Sequence, residues 1–137
     1  MELIHTVFLA LGSNLGEREI QINMAISQLN SINFKVDKVS DFFYSAAWGY
    51  QSENEFCNLC LKGSTSLDPI NLLEHLKTIE NNLGRKNESS TIDYKDRLID
   101  IDIIFFGNLV LNTPELSIPH PYWNQRNFVY RPLLQLL

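Results

Sequence analysis

The stretch Arg97-Leu98-Ile99-Asp100-Ile101-Asp102-Ile103-Ile104-Phe105-Phe106 alternates aliphatic residues with two carboxylates. This alternation predicts a half-buried β-strand. Because successive side chains of a strand point to opposite faces, Asp100 and Asp102 share one face while Ile101 points into a core. Two carboxylates on one face offer oxygen ligands to one hard cation or to a pair of them. An antiparallel strand with an acidic, solvated face is the alternative interpretation.

Length and composition indicate a soluble globular protein with one domain, residues 1–137. The chain is 45% hydrophobic and 20% charged, which is ordinary for a domain that buries a core. Its net charge is −5 at pH 7, whereas a dedicated nucleic-acid binder carries a basic stripe. No apolar run reaches the length of a membrane span, and Met1-Glu2-Leu3 does not open a signal peptide. We therefore expect a cytoplasmic protein that binds neither nucleic acid nor membrane.

Cys57 and Cys60 form a CxxC pattern, which in some proteins binds zinc or carries redox chemistry. The surrounding residues predict a strand, in which positions i and i+3 point to opposite faces. No second CxxC in the sequence completes a tetrahedral zinc site. Two reduced, structural thiols are the favoured interpretation.

The chain before the acidic strand predicts three more strands and two helices. The strand predictions, from β-branched and aromatic content, cover residues 5–11, 33–44 and 56–65. The first helix follows Gly16 with Asn14 available as its cap, and the second runs from Asp68-Pro69 to Gly84. Each helix has an apolar stripe at helical spacing, which predicts packing on a sheet.

Two long connections separate these elements. Residues 45–55 contain Trp48 and Tyr50, and residues 85–96 form the most polar segment of the chain. Loops of this length in compact domains are often functional. The two aromatic side chains either pack over the sheet or line a planar ligand, and the sequence leaves both interpretations open.

After the acidic strand, Gly107-Asn108 predicts a two-residue hairpin turn that leads to residues 109–111. Four later prolines predict a loop-rich end without long helices: Pro114, Pro119, Pro121 and Pro132. The complete order predicts a ferredoxin-like α+β fold, βαββαβ, with both helices on one sheet face and a C-terminal hairpin and loop extension. The other sheet face and the long loops would then be free to form a site.

Polar and basic residues flank the acidic strand on both sides. Arg85 and Arg97 precede it, and Ser117, His120 and Arg126 follow it. Cations held by carboxylates, next to guanidinium groups, suit a polyphosphate, and phosphoryl-type transfer mainly needs such positioning and charge compensation. Solvated surface arginines and a structural histidine are the alternative interpretation.

Six ordered blocks of sequence carry a resemblance to a known enzyme family. They are Ala10-Leu11-Gly12-Ser13-Asn14-Leu15-Gly16, Ala46-Ala47-Trp48-Gly49, Phe56-Cys57-Asn58, Ile79-Glu80 with Leu83-Gly84-Arg85, Arg97-Leu98-Ile99-Asp100-Ile101-Asp102-Ile103, and Ile118-Pro119-His120-Pro121 with Arg126 and Phe128. From Phe8 to about Leu134 the chain thus resembles the 6-hydroxymethyl-7,8-dihydropterin pyrophosphokinases. The resemblance implies an ATP-dependent transferase of folate biosynthesis that moves pyrophosphate onto the pterin and releases AMP, and we expect a monomer.

The resemblance also implies roles for particular residues. Asp100 and Asp102 would hold two magnesium ions on ATP, and the two arginines at 85 and 97 would engage the phosphates as catalytic groups. The other implied ATP contacts are Ile103, Ser117, His120 and Arg126. The implied pterin contacts are Ala46 through its backbone, Trp48, Phe56, Asn58, Tyr94 and Phe128, with Phe56 and Phe128 sandwiching the ring.

The chain departs from the family pattern before the acidic strand. Asp93 stands where an arginine is usual, and Lys86 or Lys95 would compensate. Two rival hypotheses are a metal-dependent phosphohydrolase that uses the same carboxylates and a non-catalytic ferredoxin-like module. The first needs an activated water and more metal ligands, and the second has no use for paired carboxylates.

Overall fold

The structure is a computed structural model that describes residues 3–47, 53–84 and 98–137. Within these residues the strands are β1 (His5–Ser13), β2 (Phe34–Val39), β3 (Phe43–Ser45), β4 (Phe56–Thr65), β5 (Asp100–Phe106), β6 (Leu111–Asn112) and β7 (Ser117–Ile118). The helices are α1 (Arg18–Leu29), α2 (Pro69–Asn82) and α3 (Asn127–Leu134), and a short 3-10 turn at Trp123–Gln125 precedes α3. No helix of the described part is long and apolar enough to cross a membrane.

The main sheet is antiparallel, with strand order β2-β4-β1-β5. β1 lies between β4 and β5 and pairs with both along most of its length. β3 pairs with the first residues of β4, beyond the end of β2. This topology confirms the predicted α+β fold, and its order matches βαββαβ with the second strand divided into β2 and β3.

Helices α1 and α2 pack on one face of the sheet, which we call the core face. Its strand residues include Leu9, Leu11, Leu59, Leu61, Ile101 and Ile103, all buried. The predicted helix stripes are confirmed, because Ile22, Ala25 and Leu29 of α1 and Leu72, Leu76 and Ile79 of α2 are buried there. Asp68 caps α2 as predicted, since its side chain accepts a hydrogen bond from the Asn71 amide at 2.8 Å. The first helix instead begins at Arg18, without a side-chain cap.

The single long strand predicted over 33–44 is wrong, because the chain interrupts it between β2 and β3. At the interruption the Ser40 amide donates to the Cys60 carbonyl at 2.9 Å, and the Ser40 hydroxyl accepts from the Cys60 amide at 3.0 Å. One serine therefore satisfies both backbone groups of Cys60. β-Propensity could not reveal this break, since it does not register where a side chain replaces the ladder.

The prediction that residues 109–111 pair with β5 in a hairpin is also wrong. Gly107 has φ +53° and the Leu109 amide donates to Phe106, so the turn forms. The chain then leaves the main sheet, and β6 pairs with β7 in a separate two-stranded sheet. The C-terminal hairpin therefore exists, but its two strands are β6 and β7.

Helix α3 contradicts the prediction that the second sheet face is free. It packs on that face, where its residues Val129 and Leu133, with Leu136 just after the helix, are buried against strand residues: Ala10, Cys60 and Ile104. Pro132 lies inside this eight-residue helix. Proline removes one helical hydrogen bond, and burial of the apolar stripe offsets that loss. We call this surface, bearing Ala10, Asn58, Cys60 and Asp102, the second face.

We predict that Gly63→Ala destabilises the protein by about 2–3 kcal/mol because the new methyl overpacks the sheet. A Cβ at Gly63 would overlap the Phe34 ring and lie 2.5 Å from the Lys35 carbonyl oxygen. The control is Gly107→Ala, which meets nothing within 4 Å but has φ +53°, so backbone strain alone should cost about 1 kcal/mol. Urea unfolding measures both, and equal losses would contradict the packing argument.

Candidate active site

The carboxylate alternation of β5 is present in the structure. Ile101 and Ile103 are buried on the core face, while Asp100 and Asp102 are half-buried on the second face. In the β1–β5 register, Gly12 lies opposite Asp100 and Ala10 lies opposite Asp102. The two carboxylates therefore project beside small residues, which leave space above the sheet.

A β-bulge at Ile104 ends this alternation. Phe8 pairs with Phe105 and Leu9 with Ile103, so Ile104 is the extra residue. Its carbonyl accepts a hydrogen bond from the His120 amide at 3.0 Å. The bulge thereby docks the segment after β7 and brings the His120 ring to Asp102, with Nε2 and Oδ2 4.0 Å apart.

The His120 ring has a defined tautomer. Its Nδ1 accepts a hydrogen bond from the Tyr122 amide at 3.2 Å, which leaves the proton on Nε2, the nitrogen that faces Asp102. Burial, reinforced by the Arg126 guanidinium, lowers the pKa of His120 to about 4. His120 is therefore a neutral hydrogen-bond donor at pH 7.

The environment of Asp102 disfavours the charged form of its carboxyl. Burial raises its pKa well above the ordinary value, and the charges of Asp100 and Glu80 raise it further against the opposing effect of Arg126. A divalent cation between the carboxylates would relieve this repulsion, and oxygen ligands suit Mg²⁺. Among the described residues no three His, Cys, Asp or Glu side chains form a metal cluster. Two carboxylates on one face are a donor set that fits a hard divalent cation.

An open cleft of about 400 Å³ lies next to these carboxylates. It brings together four residues predicted to bind ATP or metal beside Asp102, namely Asp100, Ile103, Ser117 and His120. Its other walls come from the α2 residues Leu73, Lys77 and Glu80 and from the β6–β7 hairpin. None of these wall residues received a role from the sequence, although Glu80 belongs to one of the six blocks that carry the resemblance. The structure shows that Glu80 is buried, which is unusual for a carboxylate.

On the other side of β1, Asn58 also lies on the second face. Gly12 is its register partner, and a Cβ at Gly12 would lie 3.1 Å from Asn58 Oδ1 and 3.5 Å from the Phe56 ring. The Asn58 amide nitrogen donates to the Phe43 carbonyl at 3.0 Å and to the Ser45 hydroxyl at 2.9 Å. The side chain is therefore held by β3, immediately before Ala46.

Arg126 and Phe128 lie at the start of α3. The Arg126 guanidinium carbon lies 5.6 Å from the centre of the Tyr122 ring and 5.8 Å from that of Phe128, within cation–π range. Phe128 packs against the cluster around Ala10 on the second face. The pairing of Phe128 with Phe56 around a pterin ring stays a prediction.

Four predicted site residues lie outside the described residues: Trp48, Arg85, Tyr94 and Arg97. The same holds for Lys86, Asp93 and Lys95, which concern the departure from the family pattern. Their proposed roles rest on the sequence.

A ferredoxin-like α+β fold with a cleft walled by paired carboxylates defines the class of this protein, and a family can be assigned within it. The chain belongs to the 7,8-dihydro-6-hydroxymethylpterin-pyrophosphokinase family, whose model matches residues 8–137.

Individual relatives agree with this assignment. The chain is 39% identical over 131 residues to a 2-amino-4-hydroxy-6-hydroxymethyldihydropteridine pyrophosphokinase of Aquifex aeolicus, covering 96% of this chain and 79% of the relative. It is 36% identical over 130 residues to the enzyme of the same name from Bacillus subtilis, covering 94% and 76% respectively. A crystal structure of Plasmodium falciparum HPPK-DHPS superposes with TM-score 0.70 at 16% identity, covering 94% of this chain and 38% of that one. The last likeness supports the fold.

We predict that Asp102→Asn stabilises the metal-free protein at neutral pH. The folded pKa of Asp102 lies above the unfolded value, so the folded state binds more protons between the two values and stability falls as pH rises through that window. The advantage of the asparagine variant should disappear below the ordinary carboxyl pKa. Thermal unfolding across pH measures this, with the exposed Asp37→Asn as control. A lower melting temperature for Asp102→Asn at neutral pH would contradict the electrostatic account.

Proposed function

We propose that this protein transfers pyrophosphate from ATP to 6-hydroxymethyl-7,8-dihydropterin, giving the pterin diphosphate and AMP in folate biosynthesis. The observation that carries the proposal is the pair Asp100 and Asp102 facing an open cleft, in a chain of the pyrophosphokinase family. Residues 1–137 would act as one catalytic domain.

Asp100 and Asp102 are the residues that would hold magnesium, and we propose two ions. Ions bound there would neutralise the charge of the phosphate oxygens and the charge that develops on the leaving group. Their carboxylates are half-buried on a rigid strand, which keeps the donor oxygens in place. Burial, together with the charges of Asp100 and Glu80, raises the pKa of Asp102, and a divalent cation bound by the two aspartates would offset this cost of charging Asp102.

The cleft beside these carboxylates is the proposed ATP site. Ile103 and Ser117 line it, and neutral His120 can donate from Nε2 to a phosphate oxygen. Arg126 supplies a permanent positive charge close enough to influence both Asp102 and His120. From the sequence we add Arg85 and Arg97, whose guanidinium groups would clamp the transferred phosphates.

The pterin is proposed to lie over Gly12, between the carboxylates and Asn58. Asn58 would hydrogen-bond the edge of the ring, and Ala46 would contribute its backbone. The ring would be enclosed by aromatic residues assigned from the sequence: Trp48, Phe56, Tyr94 and Phe128. The pterin hydroxyl oxygen would attack the β-phosphorus in line and release its proton to solvent, while the bond between the β-phosphorus and the α–β bridging oxygen breaks and AMP leaves with that oxygen.

The decisive assay follows AMP in the presence of ATP, Mg²⁺ and the hydroxymethyl pterin. We expect AMP to form only when the pterin is present. Asp102→Ala should abolish turnover, because positioning and charge compensation provide most of the catalysis in this chemistry. Circular dichroism should show that the variant remains folded. Phosphate release without pterin would support the hydrolase hypothesis instead, and normal activity of Asp102→Ala would contradict the metal assignment.

We predict that Gly12→Ala weakens pterin binding more than ATP binding. The added methyl would lie 3.1 Å from Asn58 Oδ1. This tight contact would displace the Asn58 amide and reduce the space for the pterin ring over Gly12. Displacing one hydrogen-bonding group should raise the pterin KM about tenfold. Steady-state kinetics with each substrate varied in turn measure the effect. Equal changes in both KM values would show that Gly12 does not distinguish the two sites.

Two further expectations are part of this proposal, namely a cytoplasmic location and a monomeric state. Some relatives carry the same domain within a larger protein, such as the Bifunctional protein FolKE of Lactococcus lactis subsp. cremoris, of which the match covers 38%. Size-exclusion chromatography with light scattering tests the oligomeric state directly.

A further inference from the structure

The buried carboxylate of Glu80, which is not among the predicted site residues, accepts a hydrogen bond from β5. Glu80, near the end of α2, is only 5% exposed. Its Oε2 accepts a hydrogen bond from the backbone amide of Ile101 at 2.7 Å. Ile101 is the residue between the two aspartates, so this bond acts at the centre of the carboxylate pair.

The position of β5 in the sheet explains the need for such a bond. In the described sheet order, β5 is the terminal strand and β1 is its neighbour on one side. Backbone groups on the outer edge of a terminal strand require another partner when they are buried. The Glu80 carboxylate takes the place that the carbonyl of a further strand would occupy.

A bond at Ile101 constrains both aspartates. The Ile101 nitrogen belongs to the peptide that follows Asp100, and one more residue leads to Asp102. Because a peptide group is planar, fixing this amide restricts the backbone rotation that aims the two carboxylates. A charge-assisted hydrogen bond in a buried place is stronger than a neutral one, so this restraint exceeds that of an ordinary sheet bond.

We infer that Glu80 is a positioning residue, which holds the outer edge of β5 so that Asp100 and Asp102 present their carboxylates to one cation site. The inference rests on the proposed function for the identity of that site. Glu80 also lines the cleft, and its negative charge adds to that of the pair.

The alternative is that Glu80 only attaches α2 to the sheet. Leu72, Leu76 and Ile79 already bury the same helix in the core. If attachment were its role, loss of Glu80 would lower stability and leave cation binding unchanged. Positioning instead predicts a change in cation dependence at equal fold content.

The test compares Glu80→Leu, which removes the acceptor, with Glu80→Gln, which keeps a neutral acceptor of similar shape. The first readout is hydrogen exchange at the Ile101 amide by NMR in the metal-free protein. We expect exchange about tenfold faster in the leucine variant and about threefold faster in the glutamine variant, because the bond is lost or loses its charge. The controls are Glu74→Leu and Glu74→Gln, on the exposed side of the same helix.

The second readout is the Mg²⁺ concentration that gives half-maximal binding of α,β-methylene-ATP, measured by calorimetry. It should rise about tenfold in Glu80→Leu and recover most of the way in Glu80→Gln, while both Glu74 variants match the parent. If the leucine variant does not fold, the glutamine variant still tests the inference, since its Ile101 amide should exchange faster and its Mg²⁺ requirement should rise about threefold.

The outcomes separate this inference from the proposed function. An unchanged Ile101 amide in Glu80→Gln, or an unchanged Mg²⁺ requirement in Glu80→Leu, would overturn the positioning role. If the parent binds the nucleotide analogue without any Mg²⁺ dependence, the metal site proposed for Asp100 and Asp102 fails. The exchange measurement would then still report whether Glu80 restrains β5.

Discussion

The hydrogen bond from the His120 amide to the Ile104 carbonyl, at 3.0 Å, depends on a single extra residue in β5. Without the bulge, that carbonyl would follow the regular ladder and the segment after β7 would have no fixed attachment there. With it, the His120 ring stands beside Asp102, and Phe106 returns to the core. One backbone irregularity thus serves both the site and the packing of the strand end.

The second face of the sheet is shared between packing and chemistry. Toward Ile104 it is covered by α3, whose C-terminal end is fixed where the Asp41 amide donates to the Gln135 side chain at 2.8 Å. Toward Gly12 it carries the small residues and polar side chains of the site. Arg126 directly precedes α3, so the helix that covers the apolar part of this face also positions a guanidinium group near Asp102.

Electrostatics at the carboxylate pair lowers the stability of the folded protein at neutral pH. Burial, together with the nearby charges of Asp100 and Glu80, raises the pKa of Asp102 and disfavours its charged form. Arg126 offsets part of this repulsion. Keeping this carboxyl buried beside like charges therefore costs folding free energy at neutral pH.

The sequence by itself determined the α+β order, the helix stripes and the alternation of β5, because these follow from side-chain period and local capping. It also grouped Asp100, Asp102, Ile103, Ser117 and His120, through the resemblance and through their positions around one strand, and these residues line one cleft in the structure. The tertiary structure alone revealed the bulge at Ile104, the break at Ser40, helix α3 despite Pro132, and the bond of Glu80 to Ile101. Each of these features depends on a partner that is distant in the chain or on burial that outweighs a local preference. A distant partner and burial of this kind do not produce a periodic pattern in the sequence.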